Sequence, residues 1–300
     1  FGDHRWIILG EGSNILFRSH FPGVALINNM KWISIVSETD EYVEIKALSG
    51  EVWHDLVMWT VNQWWSGLEN LALIPGTVGA APLQNIWAYG SEVKDVISFV
   101  EAIRVDSGEY LSLSNAECEF WYRDSIFKNK LKDRCIITAV GFRLSKNTLA
   151  HNTTYQGVSE MIQQLFPGNK GITPLQCAQA VIALRKSKLP DRKVLWTAWS
   201  FFKNPIVSEH IYEKLKETFP LLPCYPTTPG YVKLSAWWLI EQCGLKWWRV
   251  WDAGVYEKHA LVLVNHGNAT GEEIWACAEH IMKTVYEKFG IRIEPEVNCI

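Results

Sequence analysis

Extended patterns crowd the first half of this chain and helical patterns the second, and that order limits what it can fold into. Arg5–Leu9 (R-W-I-I-L) is an apolar run closed by Gly10 and reads as a buried strand. Val24–Ile27, the alternating Tyr42–Leu48 and Arg134–Leu144 read as further strands. A helix is expected over Ser49–Gln63, with Ser49 as its N-cap and Leu56, Val57 and Thr60 on one face. From about residue 172 helices dominate. Thr173-Pro-Leu-Gln176 is a capping box with proline at the first helical position. Thr270-Gly-Glu-Glu273 is a second box, opening a helix with Ile274, Ala278, Ile281 and Val285 on its apolar face and Gly290 at its end. A strand over His259–Asn265 precedes it, and Gly168–Gly171 reads as a surface loop. The pattern is α+β, without the regular alternation of a doubly wound sheet. The first strand has nothing before it to pair with, so a further N-terminal segment is expected.

The 300 residues suit about two domains, and 48% hydrophobic residues supply a real core. A net charge of −3 gives no electrostatic footprint for nucleic acid or an anionic membrane. No apolar run approaches the roughly eighteen residues of a membrane span. Seven cysteines without a Cys-x-x-Cys pair read as reduced, cytosolic thiols. The eight histidines show no metal-ligand spacing, so no metal site is expected. One count is abnormal: 16 Trp exceed both 12 Phe and 10 Tyr.

Two glycine-bearing loops come after apolar runs. Leu9-Gly-Glu-Gly-Ser-Asn14 could turn backbone N–H groups toward a phosphate, or be a tight turn after a strand. Ile74-Pro-Gly-Thr-Val-Gly-Ala-Ala-Pro82 is open to the same two readings. Two such loops raise the odds of a bound dinucleotide, yet neither fits the Rossmann fingerprint. Arg123, in Tyr122-Arg-Asp-Ser-Ile-Phe-Lys128, could clasp a carboxylate bidentately or pair with Asp124 at the surface. Ser200, in Ser-Phe-Phe-Lys-Asn-Pro205, lacks the Gly-x-Ser-x-Gly of a hydrolase nucleophile and reads as a proton donor or a turn residue. Lys188 is a candidate to lower its pKa. Glu294-Pro-Glu-Val297 holds two carboxylates around a rigid proline, as a site or as a charged strand edge.

Taken in order, these segments resemble one family. They are joined by Gly67-Leu-Glu-Asn-Leu-Ala-Leu-Ile-Pro-Gly76, Gln84-Asn-Ile with Ala-Tyr-Gly90, Lys188-Leu-Pro-Asp191 and Leu239-Ile-Glu-Gln-Cys-Gly244. The chain looks like a member of the UDP-N-acetylenolpyruvoylglucosamine reductase (UDP-N-acetylmuramate dehydrogenase) family over essentially its whole length. Thr153-Thr-Tyr-Gln156 resembles the tyrosine loop of the longer, type I form. The resemblance implies a cytoplasmic flavoenzyme of peptidoglycan synthesis, a monomer acting on a UDP-sugar and binding neither nucleic acid nor membrane. It implies an α+β fold: a two-subdomain FAD-binding unit of the vanillyl-alcohol-oxidase type and a C-terminal α+β substrate domain. The implied division is 1–38 and 39–187 for the FAD subdomains, 188–290 for the substrate domain, and 291–300 for a return carrying a catalytic Glu.

The implied reaction has NADPH reduce FAD, which then gives hydride to the enolpyruvyl methylene before the enol is protonated to a lactyl ether. Arg123 matches the cation beside the substrate carboxylate, Ser200 the proton donor, and Glu296 the residue assisting the enol or the proton relay. Tyr122, Tyr155, Lys188, Asn204 and His259 match substrate-holding positions. The FAD contacts fall on Gly10, Glu11, Gly12, Ser13 and Asn14 of the first loop. In the second loop they fall on Ile74, Pro75, Gly76, Thr77, Gly79 and Ala80, and beyond it on Gln84, Asn85, Tyr89 and Gly90.

The departures from the family pattern are nearly all of one kind. Glycine is expected where this chain has Trp32, Trp64, Trp87, Trp121, Trp196, Trp199, Trp237, Trp247 and Trp251. Trp53, Trp59 and Trp238 stand where an aromatic is expected, and Trp6, Trp65, Trp248 and Trp275 are unassigned. A Gly-to-Trp change costs roughly 1–2 kcal/mol where φ is positive, and about 1–3 kcal/mol where the indole is forced into packed space. One account is decoding: UGA means stop in the standard code, tryptophan in one variant code and glycine in another. Deliberate substitution giving a catalytically dead or misfolded variant is the rival account, and a natural non-catalytic sugar-nucleotide binder is the third.

Overall fold

The computed structural model describes residues 5–150 and 152–300, with Ala198 and Trp199 described by backbone alone. Two compact units result. The first holds residues 1–12 and 23–187, and the second residues 13–22 and 188–300.

In the first unit Arg5–Leu9 pairs in parallel with Gly23–Ile27. A five-stranded sheet comes next, in spatial order Ile33–Glu38, Tyr42–Leu48, Cys135–Ser145, Ile97–Arg104 and Tyr110–Ser114. All of its pairings are antiparallel. Its core face keeps the period of two: Val43, Ile45 and Ala47 are buried along one strand, and Val140, Phe142 and Leu144 along its neighbour. Helices α1 (Trp53–Asn62), α2 (Gln156–Leu165) and α3 (Pro174–Lys188) contribute Leu56 and Val57, Val158 and Ile162, and Val181 and Leu184 to the same core. Trp53 meets Phe142 edge to face at 5.9 Å.

In the second unit a four-stranded antiparallel sheet runs Trp196–Ser200, Val262–Asn265, Ala253–Val255, Arg249–Val250. A smaller three-stranded sheet orders Ile206–Ser208, Tyr231–Leu234 and Cys224–Pro226. Ile15–Leu16 pairs in parallel with Asn298–Cys299. Helix α4 is Glu209–Thr218, α5 is Ala236–Gln242 and α6 is Gly271–Phe289. The apolar face Ile274, Ala278, Ile281, Val285 of α6 packs with Leu239 and Ile240 of α5 and with Phe201, Phe202 and Leu263. Both expected capping boxes form: Thr173 with Gln176, and Thr270 with Glu273. Gly290 ends α6 at φ 67, the left-handed conformation that favours glycine.

Two expectations are corrected. Ser49 is not a helix cap, because α1 begins four residues later with Val52 as an N-cap that makes no side-chain bond. Ser49 is instead buried at the end of the inner strand Tyr42–Leu48, donating its N–H to Thr138 O and accepting from Gly79 N at 2.9 Å. The strand expected over His259–Asn265 spans only Val262–Asn265. The earlier residues form a turn, with His259 N donating to Tyr256 O and Val262 N to His259 O. Among the described residues no helix is long and apolar enough to cross a membrane, and no group of three or more His, Cys, Asp or Glu is placed to hold a metal ion.

Candidate active site

The first turn of α1 is a template for the second glycine loop. Trp53 N donates to Gly76 O and Trp53 Nε1 to Leu71 O, both at 2.9 Å. Val78 N reaches Glu51 O, and Gly79 N reaches Ser49 O. A Cβ on Gly79 would stand 2.6 Å from Ser49 Cβ, so only glycine allows that approach. Leu73, at φ 58, donates its N–H to His54 Nδ1 at 3.1 Å. The loop is therefore bound through its backbone rather than by its own side chains.

The first glycine loop meets the second. Glu11 accepts the Gly76 N–H at 3.0 Å, and a Cβ on Gly10 would strike Thr77 Oγ1 at 2.4 Å. Gly12 has φ 65, with nothing within 4 Å of where its Cβ would stand. An open glycine turn on left-handed backbone fits the pyrophosphate of a dinucleotide. Ser13 and Asn14 lie in the second unit, where Asn14 Nδ2 donates to Glu296 O at 3.4 Å.

Asn85 sits at φ 42 and is buried. Its amide donates to Glu92 Oε2 at 2.6 Å and to Trp121 O at 3.0 Å, and its Oδ1 accepts from Lys94 N at 3.1 Å. It therefore ties the Trp87–Glu92 hairpin to the turn carrying Arg123. That turn is rigid: Ser125 is buried and donates to Leu83 O, Phe127 is buried, and Arg123 itself has φ 55. Asp124 accepts from Asn129 Nδ2 and Ser125 N.

Sequence reasoning missed Arg185 on α3. It is hydrogen-bonded to Tyr89 and close enough to Arg123 for the two charges to interact. Burial pushes the Arg185 guanidinium below its ordinary value, with Tyr89 acting the other way. Burial likewise raises Tyr89, while Arg185 opposes the shift. Tyr89 packs edge to face on Tyr155 at 5.5 Å. Asn70, also unassigned from sequence, is buried and donates to Tyr89 O and Asn152 O, holding together the hairpin and the loop that leads to Tyr155. Gln84 and Tyr122 are half-buried, and Ile74, Pro75, Thr77, Ala80 and Gly90 lie within these same loops. The first unit thus gathers two cations and two phenols, a set suited to an anion.

The second unit brings Ser200 and Glu296 together. Ser200 ends its strand opposite Val262. The next residues pair with the C-terminal segment: Glu296 N donates to Phe201 O at 2.7 Å, Phe202 bridges Pro295, and Lys203 N donates to Glu294 O. Phe201 and Phe202 are buried, which fixes that strand, and Glu296 is buried with them. Asn204 Oδ1 accepts the first N–H of α5, from Ala236, at 2.9 Å. His259 Nδ1 accepts from Leu261 N at 3.4 Å. Lys188 is exposed at the end of α3, and among the described residues no contact with Ser200 marks it as the group that tunes that hydroxyl.

The tryptophans divide sharply. Trp32, Trp64, Trp121, Trp196, Trp247 and Trp251 are exposed, from 42% at Trp196 to 85% at Trp251. All six belong to the positions where glycine is expected. Trp64, Trp247 and Trp251 also have φ of 63, 71 and 52, in the left-handed region. Trp87 and Trp237 are half-buried, and the indole of Trp199 lies outside the described residues. No other described tryptophan is exposed or has positive φ. Trp59 packs on Trp65, Trp238 on Phe219 and Phe289, and Trp248 on His280. Trp275 Nε1 donates to Glu279. The expected packing cost therefore does not arise at the six exposed positions, where an indole has room; backbone strain remains at three.

A family model described as UDP-N-acetylenolpyruvoylglucosamine reductase, C-terminal domain, matches residues 190–300. One described as FAD binding domain matches residues 2–114. The UDP-N-acetylenolpyruvoylglucosamine reductase of Chromobacterium violaceum is 49% identical over 289 residues, covering 96% of this chain and 84% of that protein. The enzyme of that name from Flavobacterium johnsoniae is 45% identical over 299 residues, covering 99% and 88%. The crystal structure of the Thermus caldophilus reductase superposes with a TM-score of 0.62 over 99% of this chain and 86% of that one; at 22% identity it speaks to the fold alone.

Proposed function

The chain belongs to the UDP-N-acetylenolpyruvoylglucosamine reductase family, and from that premise we propose which of its residues reduce the enolpyruvyl group of the UDP-sugar to give UDP-N-acetylmuramate. The chemistry that FAD supplies when bound, with NADPH as its reductant, is hydride delivery to the enolpyruvyl methylene carbon. The turn Gly10–Gly12, packed on Thr77 at Gly10 and open at Gly12, and the clamped Ile74–Ala80 loop fit that cofactor, with Ser13, Asn14, Gln84, Asn85, Tyr89 and Gly90 as its further neighbours. Hydride addition drives an electron pair toward the substrate carboxylate, and Arg123 holds that carboxylate with paired N–H donors. Ser200 gives its hydroxyl proton to the adjoining carbon, completing the lactyl ether. Glu296 steadies the enol or returns a proton to Ser200. Tyr122, Tyr155, Lys188, Asn204 and His259 hold the sugar nucleotide.

The observation that carries these roles is the pairing of the Ser200 strand with the Glu296 segment, Glu296 N to Phe201 O at 2.7 Å. The test is NADPH oxidation by the purified, yellow chain with the enolpyruvyl substrate. Loss of oxidation in both Ser200→Ala and Glu296→Gln with FAD retained supports the assignment; full activity in either removes that residue from it. In this reading the protein is a cytoplasmic monomer, divided near residues 38, 187 and 290.

We further propose that the nine tryptophans at expected glycine positions are glycine in the working enzyme, through decoding of UGA. Six exposed indoles, three of them on left-handed backbone, are the supporting observation. The codons decide: UGA at Trp64, Trp247 and Trp251 is the expected result, and UGG there ends the idea in favour of deliberate substitution.

A further inference from the structure

His54 has no part in the hydride and proton steps, yet it sits where the second glycine loop begins. Its Nδ1 accepts the Leu73 N–H at 3.1 Å, one residue before Ile74. Leu73 is at φ 58, a conformation an L-residue with a branched side chain keeps only when its surroundings hold it. The neighbouring bonds, Trp53 Nε1 to Leu71 O and Trp53 N to Gly76 O, anchor the segment on either side. The His54 bond is the anchor between them, and it is made by a side chain that can titrate.

We propose that His54 is a positioning residue: its neutral imidazole fixes the Leu71–Gly79 loop by accepting the Leu73 amide hydrogen, and protonation at Nδ1 releases that loop. Its consequence for the cofactor rests on the reading of the loop as an FAD contact; the bond itself does not.

A nitrogen that accepts a hydrogen bond carries no proton, so the geometry selects the neutral ring with its hydrogen on Nε2. The groups around His54 favour the same form. Burial lowers its pKa most, Lys186 and Arg185 of α3 lower it further, and only Asp55, its neighbour on α1, acts in the opposite direction. A histidine held below its ordinary 6.5 stabilises the folded loop above that pH, and the contribution is lost as pH falls through the lowered value. Release is therefore expected on the acid side of 6.5. A part-buried N–H that loses its acceptor is costly enough to change local opening about tenfold.

The test compares three chains by hydrogen exchange at the Leu73 amide, expressed as protection factors across neutral to mildly acidic pH, alongside FAD retention. Asn places an oxygen near where Nδ1 stands but does not titrate, whereas Phe keeps a ring and removes the acceptor. The parent chain should protect Leu73 at neutral pH and lose about tenfold protection in acid. His54→Asn should keep its protection throughout, and His54→Phe should lack it at every pH. If His54→Asn shows the parent's acid loss, or a folded His54→Phe protects Leu73 as the parent does, the proposal is overturned. Should His54→Phe fail to fold, the Asn comparison decides alone. FAD retention should show the same three patterns. If the exchange behaves as expected while FAD retention ignores it, the positioning role stands and the reading of this loop as a cofactor contact fails.

Discussion

At the scale of single residues, Ser200 is held by the two phenylalanines after it. Phe201 and Phe202 are buried and bonded to the segment around Glu296, so the half-buried hydroxyl has a fixed base. A group used only to protonate the enol should matter only after hydride transfer. Ser200→Ala is therefore expected to lower turnover about 10²–10⁴-fold while leaving the stopped-flow rate of flavin reduction by NADPH unchanged. An equal loss in both steps would mean a structural role. The cysteines give a second expectation, on thiolate availability. Burial pushes Cys118 and Cys277 up to about 12 and raises Cys177 as well, whereas Cys224 is exposed. A thiol reagent in mildly alkaline buffer should label Cys224 first and reach the other three only when the chain unfolds, as mass spectrometry of timed samples would register.

At the scale of elements, α6 is closed at both ends by devices written in the sequence. Thr270 and Glu273 bond reciprocally at its start, and Gly290 takes φ 67 at its end. Thr270→Ala and Gly290→Ala should each cost about 1 kcal/mol, seen as a lower urea midpoint with unchanged slope. The box also titrates. Bonds from Thr270 hold the Glu273 carboxyl below its ordinary 4.5, so its contribution is present above that pH and lost as pH falls through the lowered value. These ends were legible because each signal is local. So was the strand Tyr42–Leu48, through its alternation. The illegible features depend on partners distant in the chain. Ser49 looks like a cap, but Thr138 and Gly79 bind its backbone at the end of an inner strand, and the helix starts later. His259 looks like the start of a strand until the turn onto Tyr256 is seen. Arg185 and His54 carry no sequence motif of their own, and Asn70 lies within the Gly67–Gly76 segment without a role that the segment assigns; the first unit's packing turns each toward the loops.

At the scale of the whole molecule, the tryptophans fall into two populations that the same substitution should separate. Trp53 is buried, meets Phe142 and bonds Leu71 O, so it helps hold both the core and the second glycine loop. Trp64, Trp247 and Trp251 are exposed on left-handed backbone. Replacing a non-glycine residue there by glycine relieves roughly 1–2 kcal/mol of backbone strain, partly offset by about 0.4–1 kcal/mol from the freer unfolded chain. Removing Trp53 instead opens a large cavity, at about 3–5 kcal/mol. The triple variant Trp64→Gly, Trp247→Gly, Trp251→Gly should therefore melt at or above the parent's midpoint, and Trp53→Gly well below it. Reverting all nine positions should raise the flavin absorbance per polypeptide, since Trp87 adjoins the loop that carries Tyr89 and Gly90 and Trp199 adjoins Ser200. A triple variant that melts as low as Trp53→Gly, or a nine-fold variant that binds no more flavin than the parent, would place those indoles among the native side chains. The division by exposure and φ would then have a cause other than the decoding of UGA.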